Sequence, residues 1–433
     1  MPELGIPFQL TEVDGVPCFW ADAPGPCQAG LLFRTGRADE RLAAGGITQL
    51  VARLALAGVG HRRGDYRPGL TATTTAFYGT GEPREIVAVL EHVCRALHDL
   101  PADGFESERR VLGIEAARED PGTAQRLLMM RFGASGFGLP FYEPFGLRWL
   151  GPEHSSAWAR ERFTTGNAVL WMTQRPPDDL RLPLPPGPRP APPPTEPMAG
   201  LELPAFAVSG EGALASTIVA ERSTALAVAS RVVADRAHQL GYRVEAWQFP
   251  LTADLAHRHL AVDCDEHDAD EVLAGVLRVF DSVAEHGATP SELAEARANT
   301  LRALADDQAA PGALEQMAVD ELLGAPRRWK EDLAAAAESP SYAEVAAALR
   351  SALATQIVLA PVHTTKPAGR GLADFPWFSR ERIAGRELRA ARGQRRPGEP
   401  DARLVVSQEG VSHVGDGAGH ASTVKFADVA AAL

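Results

Sequence analysis

A chain of 433 residues, 45% of them hydrophobic, is long enough for two or three domains with their own cores. Its formal net charge of -13 argues against broad binding to nucleic acid or to an anionic membrane surface, and for basic or neutral partners. No apolar run approaches the roughly 18 residues of a membrane span, and Met1-Pro2-Glu3-Leu4-Gly5 lacks a leader's basic and apolar regions, so a soluble, cytoplasmic protein is expected.

In chain order, strands are expected at 16–20 and 30–35, the second running into a polar turn that ends near Glu40. Residues 45–58 then read as a core helix: Leu50, Leu54 and Ala57, with Ile47 and Val51 beside them, share one face, and Gly58 ends it. A strand is expected at 70–78 and a long helix at 83–100, where Pro83 sits harmlessly at the start and Ile86, Val89, Leu90, Val93 and Leu97 line one face. A further helix follows Phe105, and residues 163–173 read as a closing strand. Cys18, Cys27, Cys94 and Cys264 have no metal-type spacing and read as buried free thiols of a reducing compartment.

Residues 176–204 are dense in proline, which supplies no ladder or helix donors, so an extended, semi-rigid spacer is expected there rather than a PxxP ligand. Beyond it the theme repeats: strand 214–220, helix 224–240, strands 242–249 and 257–263, helix 269–285, and a closing strand at 356–362. Thr289-Pro290-Ser291-Glu292 and Ser341-Tyr342-Ala343-Glu344 are capping boxes that start two more helices. Two copies of one α/β unit are the economical reading.

Several short patterns compete for chemistry. His257, His259, Cys264, Asp265 and His267 cluster closely, with His257 and His259 on one strand face, and imidazole with thiolate suits zinc. The spacing matches no familiar zinc pattern, which favours a structural role for the cluster. There is no G-x-S-x-G, no G-x-x-x-x-G-K and no G-x-G-x-x-G, and the glycines at 415–419 read as a turn. Residues 379–396 are strongly basic, and 404–414 and 423–426 read as two or three short strands before a final helix at 428–433. This tail faintly resembles the opening strands of a pleckstrin-like β domain, and docking on another domain or a partner is expected of it rather than phospholipid binding.

The strand and turn at 29–40 with the helix at 45–58 resemble the first strand and active-site helix of the insulinase/pitrilysin-type (inverzincin, M16-like) zinc peptidases. In that family the helix carries H-x-x-E-H, two zinc-binding imidazoles and a general-base carboxylate. Those positions here are Gln49, Ala52 and Arg53: a poor ligand, no base, and a permanent cation where a dication would sit. The run 105–115 is similar to the family segment holding the third ligand and a supporting carboxylate, which places Glu115 and Glu108 in those roles as relics. Read without the resemblance, two Glu residues seven apart on a helix are a solvated face. The interval from Arg53 to Glu115 is shorter than the family's, as though the loop at 59–68 were trimmed, and Arg53 is expected to pair with Glu115 where zinc would be.

In the second half, residues 287–297 and 236–242 resemble the family's carboxy-terminal repeat, in which an Arg and a Tyr seven residues on hold the substrate backbone. Tyr242 takes the Tyr position and Arg236, six before it, takes the Arg only approximately, since Asp235 stands seven before. As an ordinary residue, Tyr242 is a half-buried aromatic opening a strand.

The resemblance implies an α+β fold: two repeated domains at 1–175 and 205–365, each a mostly antiparallel sheet covered by helices, the linker 176–204, and a short β-rich tail at 366–433. It also implies a catalytically inactive subunit, of the kind found in split, mitochondrial-processing-peptidase-like members. Such a subunit has no cofactor of its own; zinc is expected in a partner chain with an intact H-x-x-E-H, acting on a peptide substrate that Tyr242 and Arg236 contact. The alternative is a stand-alone pseudopeptidase that serves as a binding or scaffold protein.

Overall fold

Asp14-Gly15, both at positive φ (49° and 82°), turn the chain between β1 (Gln9–Val13) and β2 (Val16–Trp20), the hairpin chemistry that asparagine, aspartate and glycine tolerate. The computed structural model describes residues 4–59, 65–116, 122–209, 213–376, 383–389, 403–414 and 421–426. β3 (Cys27–Phe33) follows, then α1 (Ile47–Leu56), β4 (Asp65–Leu70), β5 (Thr75–Gly81) and α2 (Pro83–His98). Three more helices, α3 (Phe105–Ala116), α4 (Thr123–Phe132) and α5 (Pro152–Arg162), precede β6 (Ala168–Met172).

The strand expected at 70–78 is instead two strands folded on one another. Thr71 Oγ1 accepts from the amides of Thr73 and Thr74 at 3.1 and 2.9 Å, and Thr71 N donates to Thr74 O, so a tight turn interrupts the extended run. Asp65–Pro68, expected to be loop, therefore belongs to edge strand β4, while residues 60–64 lie outside the described residues.

The second half contains β7 (Ala205–Ser209), β8 (Ala213–Glu221), α6 (Thr224–Gln239), β9 (Val244–Pro250), β10 (Leu255–Asp263), α7 (Ala269–His286), α8 (Pro290–Ala305), α9 (Ala310–Leu323), α10 (Lys330–Glu338), α11 (Tyr342–Leu353), β11 (Ile357–Pro361) and the short β12 (Ala373–Asp374). Both capping boxes form, with Thr289 and Ser341 accepting from the amides of Glu292 and Glu344.

The sheet orders, β1-β2-β6-β3-β5-β4 and β12-β7-β11-β8-β10-β9, are the same once the edge strands β1 and β12 are set aside. The parallel pairs correspond as well, β2 with β6 and β7 with β11, and the other neighbours of these inner strands run antiparallel. The duplication is thus one of topology, with α1, α2 and α5 covering the first sheet and α6, α7 and α11 covering the second.

Each sheet's other face is closed by a helix from the opposite half. Leu314, Ala318 and Leu322 of α9 pack on Phe19, Leu32, Val169 and Trp171 of the first sheet, while Leu128 and Phe132 of α4 pack with Val219 and Leu251 of the second. β6, covered on both faces, is apolar and buried at every position. This exchange makes Met1–Met198 with Leu203–Ala373 one compact unit. The proline-rich stretch is accordingly a strap and not a free spacer: Leu180, Leu182 and Leu184 join the first core, Leu182 N donates to Asp14, and Thr165 N donates to Pro185 O.

Asp374–Leu433 with Ala199–Glu202 forms the second unit. Its antiparallel sheet runs β13 (Arg386–Arg389), β14 (Arg403–Val406), β15 (Gly410–Val414), β16 (Ala421–Lys425), around Ile383, Val405 and Val414. Four strands replace the two or three expected, because the run at 386–389 inside the basic segment pairs with β14. The glycine turn at 415–419, the helix at 428–433 and the remainder of the basic segment lie outside the described residues. Among the described residues no helix is long and apolar enough to cross a membrane.

Candidate functional site

Glu40 sets the start of α1. Its two carboxylate oxygens accept from Gly46 N at 2.8 Å and Thr48 N at 2.9 Å, which satisfies amides that a helix start leaves unbonded. Gly46 enters the helix at φ 94°, and a side chain there would overlap Leu147 and Pro144. Burial holds the Glu40 carboxyl above its usual pKa, and the two amides partly oppose this. Nothing in the linear pattern announced this brace, because its partners are six and eight residues away across a turn.

Leu50 and Leu54 on α1 pack with Phe105, Leu112 and Leu147, which lays α3 alongside α1. Glu108 and Glu115, two turns apart on α3, consequently face Arg53. Arg53 Nη2 donates to Glu115 Oε2 at 2.6 Å and Nη1 to Glu108 Oε2 at 3.4 Å. Gln49, one turn before Arg53, is half-buried, whereas Ala52 is 1% exposed and belongs to the first core.

These residues do not fit the zinc of the H-x-x-E-H peptidases. A guanidinium already bonds the two carboxylates, no imidazole stands on α1, and the general-base position points into apolar packing. The arrangement can hold α1 against α3, and no zinc-dependent step follows from it.

Arg236 and Tyr242 both lie in the helix layer over the second sheet. Arg236 makes a two-pronged ion pair with Glu292, with both N···O distances 2.8 Å, and donates also to Ser282 Oγ and Gly287 O. Four of its five N–H donors are thereby engaged in tying α6, α7 and the start of α8 together. The Arg236 hydrogen bonds are the main reason the Glu292 carboxyl is held down to about 2. Tyr242 packs on the second core, its hydroxyl over Gly275 of α7 where any Cβ would overlap it. In this geometry Arg236 ties the helix layer together and Tyr242 packs in the same layer.

His257 and His259 do share a strand face. Their rings lie tilted against those of Phe249 and Trp247, their register partners on β9, with centroids 5.1 Å apart in each pair. His257 is fully buried, and neither of its ring nitrogens finds a hydrogen-bond partner among the described residues. Burial pushes His257 well below its usual range, helped by His259 and Arg131, and takes His259 down to about 4. Among the described residues no group of three His, Cys, Asp or Glu side chains could hold a metal ion.

No protein-family model and no curated protein matches the sequence. The solved structures do. An inactive domain of peptidase M16 from Pseudomonas fluorescens superposes with a TM-score of 0.67 at 15% identity, covering 83% of this chain and 100% of that one. A chain of complex III2 from Candida albicans gives 0.66 at 14% identity, covering 81% and 94%. Pitrilysin gives 0.60 at 13% identity, covering 82% of this chain and 45% of pitrilysin. The duplicated sheet order and these superpositions agree: the chain has the fold of the insulinase-like M16 peptidases.

Proposed function

We propose that this chain is a catalytically inactive subunit of a heteromeric zinc peptidase, adding surface to the peptide chamber of a partner chain that carries H-x-x-E-H and the zinc. The observation that supports the reading is the Arg53 guanidinium between Glu115 and Glu108, at 2.6 and 3.4 Å, where an active member needs two imidazoles and a metal. The inactive peptidase M16 domain and the complex III2 chain among its structural neighbours are in keeping with a non-catalytic member and with life in a multi-chain assembly. Within this reading Arg236 and Tyr242 stabilise the helix layer, and the partner performs the cleavage.

A stand-alone binding or scaffold protein is the second reading, favoured by α9 and α4 covering both sheets from within the chain. Co-expression with a neighbouring-gene chain bearing an intact H-x-x-E-H separates the two. The subunit reading expects a one-to-one complex, zinc only in the partner and cleavage only by the pair. A monomer that ignores its neighbour favours the scaffold. Near one zinc per isolated chain, with chelator-sensitive cleavage, defeats both.

A further inference from the structure

Arg258 sits on the face of β10 that it shares with Leu260 and Val262 of the second core, in register with Ile218 of β8 and Gln248 of β9. It is 6% exposed, and its Nε and Nη1 are enclosed with no hydrogen-bond partner among the described residues. A guanidinium in that state is costly unless something accepts from it. Arg222, close enough for its charge to act on Arg258, only adds repulsion. Arg222 is itself satisfied, by Asp320 Oδ1 at 2.5 Å and by the carbonyls of Thr252 and Ala253.

The Arg258 side chain lines a cavity of about 380 Å³ between the start of α6, at Ser223 and Thr224, and the helices α9 and α10. That size lies in the range of small-molecule sites. The walls are mixed: Leu304, Met317 and Leu333 supply apolar surface, and Arg222, Arg328 and Lys330 join Arg258 as cations against Asp320, the one carboxylate among the described lining residues. Lys330 is already committed, donating to Leu4 O at 2.7 Å and lying 4.4 Å over the Phe8 ring. A local excess of positive charge in a chain of net charge -13, at the first turn of a 16-residue helix, favours an anion.

We propose that this cavity binds an organic carboxylate with an apolar body, the carboxylate salt-bridged to Arg258 and the body lying on Leu304, Met317 and Leu333. The planar guanidinium suits a carboxylate, and the apolar walls suit a hydrocarbon side chain more than a hydrated phosphate. The C-terminal residue of a peptide and a free aryl or alkyl acid share this chemistry. The inference stands on the cavity alone and holds whether or not the inactive-subunit reading does.

Calorimetric titration of the full chain tests it with four probes: acetyl-Ala-Ala-Phe with a free C-terminus, its C-terminal amide, 3-phenylpropionate and inorganic phosphate. The proposal expects the free-acid peptide to bind about tenfold or more tightly than the amide, and Arg258→Gln to lose about that factor. Tighter binding of the peptide than of 3-phenylpropionate assigns a peptide terminus; equal binding assigns any apolar carboxylate. Where Arg258→Gln does not fold, Ala313→Trp, which fills the cavity from the surface of α9, is expected to abolish binding. No binding by either carboxylate, equal binding of the amide, phosphate bound as tightly as the carboxylates, or undiminished binding by Arg258→Gln or Ala313→Trp overturns the proposal.

Discussion

Arg53 Nη2 lies 2.6 Å from Glu115 Oε2 and its Nη1 3.4 Å from Glu108 Oε2, so one side chain of α1 is straddled by two carboxylates of α3. The three side chains are 26, 44 and 33% exposed. Ion pairs this open are worth about 0–1 kcal/mol because water and salt screen them. The contact between α1 and α3 rests on Leu50, Leu54, Phe105 and Leu112 beneath. Glu115→Gln is therefore expected to cost under about 1 kcal/mol by denaturant titration. Leu112→Ala is expected to cost about 2–4 kcal/mol.

Rebuilding H-x-x-E-H by Gln49→His, Ala52→Glu and Arg53→His is expected to give neither zinc-dependent cleavage nor a stable protein. Ala52 is 1% exposed, so the new carboxylate enters the first core unpaired, at a cost of several kcal/mol. Ala52→Glu alone should reproduce most of the loss, while Gln49→His should be nearly silent. Stoichiometric zinc and chelator-sensitive cleavage by a folded triple variant would show that the site geometry survives.

Arg236→Ala is expected to lower stability by about 2–4 kcal/mol, because it removes a partly buried two-pronged pair and leaves Glu292 with the amide and hydroxyl of Thr289. The pair also predicts an acid limb. The Glu292 carboxyl is held at about 2 against its ordinary 4.5, so its contribution is complete above 4.5 and is lost as pH falls towards 2. Thermal melts of wild type and Arg236→Ala should converge over that window.

The buried histidines act at higher pH. His259 is lowered to about 4 and His257 well below its ordinary 6.5, so the folded chain keeps them neutral while the unfolded chain protonates them near 6.5. Their share of stability is complete above 6.5 and falls as pH drops from 6.5 towards 4. His257→Leu, of similar volume, should flatten the stability profile between those limits. An unchanged slope in urea titrations at pH 7, 6 and 5 would count against neutral burial of His257.

The reciprocal helices predict one cooperative transition for the two halves. Leu314→Ala in α9 and Leu128→Ala in α4, at positions 0% and 1% exposed, should each cost about 2–5 kcal/mol and lower a single shared melting temperature. Two separated transitions in differential scanning calorimetry of the Leu314→Ala variant would show that the sheets fold independently.

Much of this was legible in the sequence because it depends on local periodicity. The apolar stripe of α2, the caps of α8 and α11, and the continuous apolar run of β6 declare themselves within one element. So did the loss of the zinc-binding residue types at Gln49, Ala52 and Arg53, since no packing converts those side chains into ligands. The repeat showed as one pattern of elements met twice, and the sheet orders give that pattern a common topology.

What the tertiary structure alone decided lies in contacts between residues far apart in the chain. Whether Arg236 faces a substrate or a carboxylate depends on where α8 puts Glu292, 56 residues on. Whether the sheets stay open depends on α4 and α9 crossing to the opposite half, and amphipathicity tells only that a helix has a partner, never which sheet it covers. The same holds for Arg258. An arginine between two histidines in a strand gives no sign of facing a cavity until the fold sets one against it, because burial is a property of the packed chain and not of the residue.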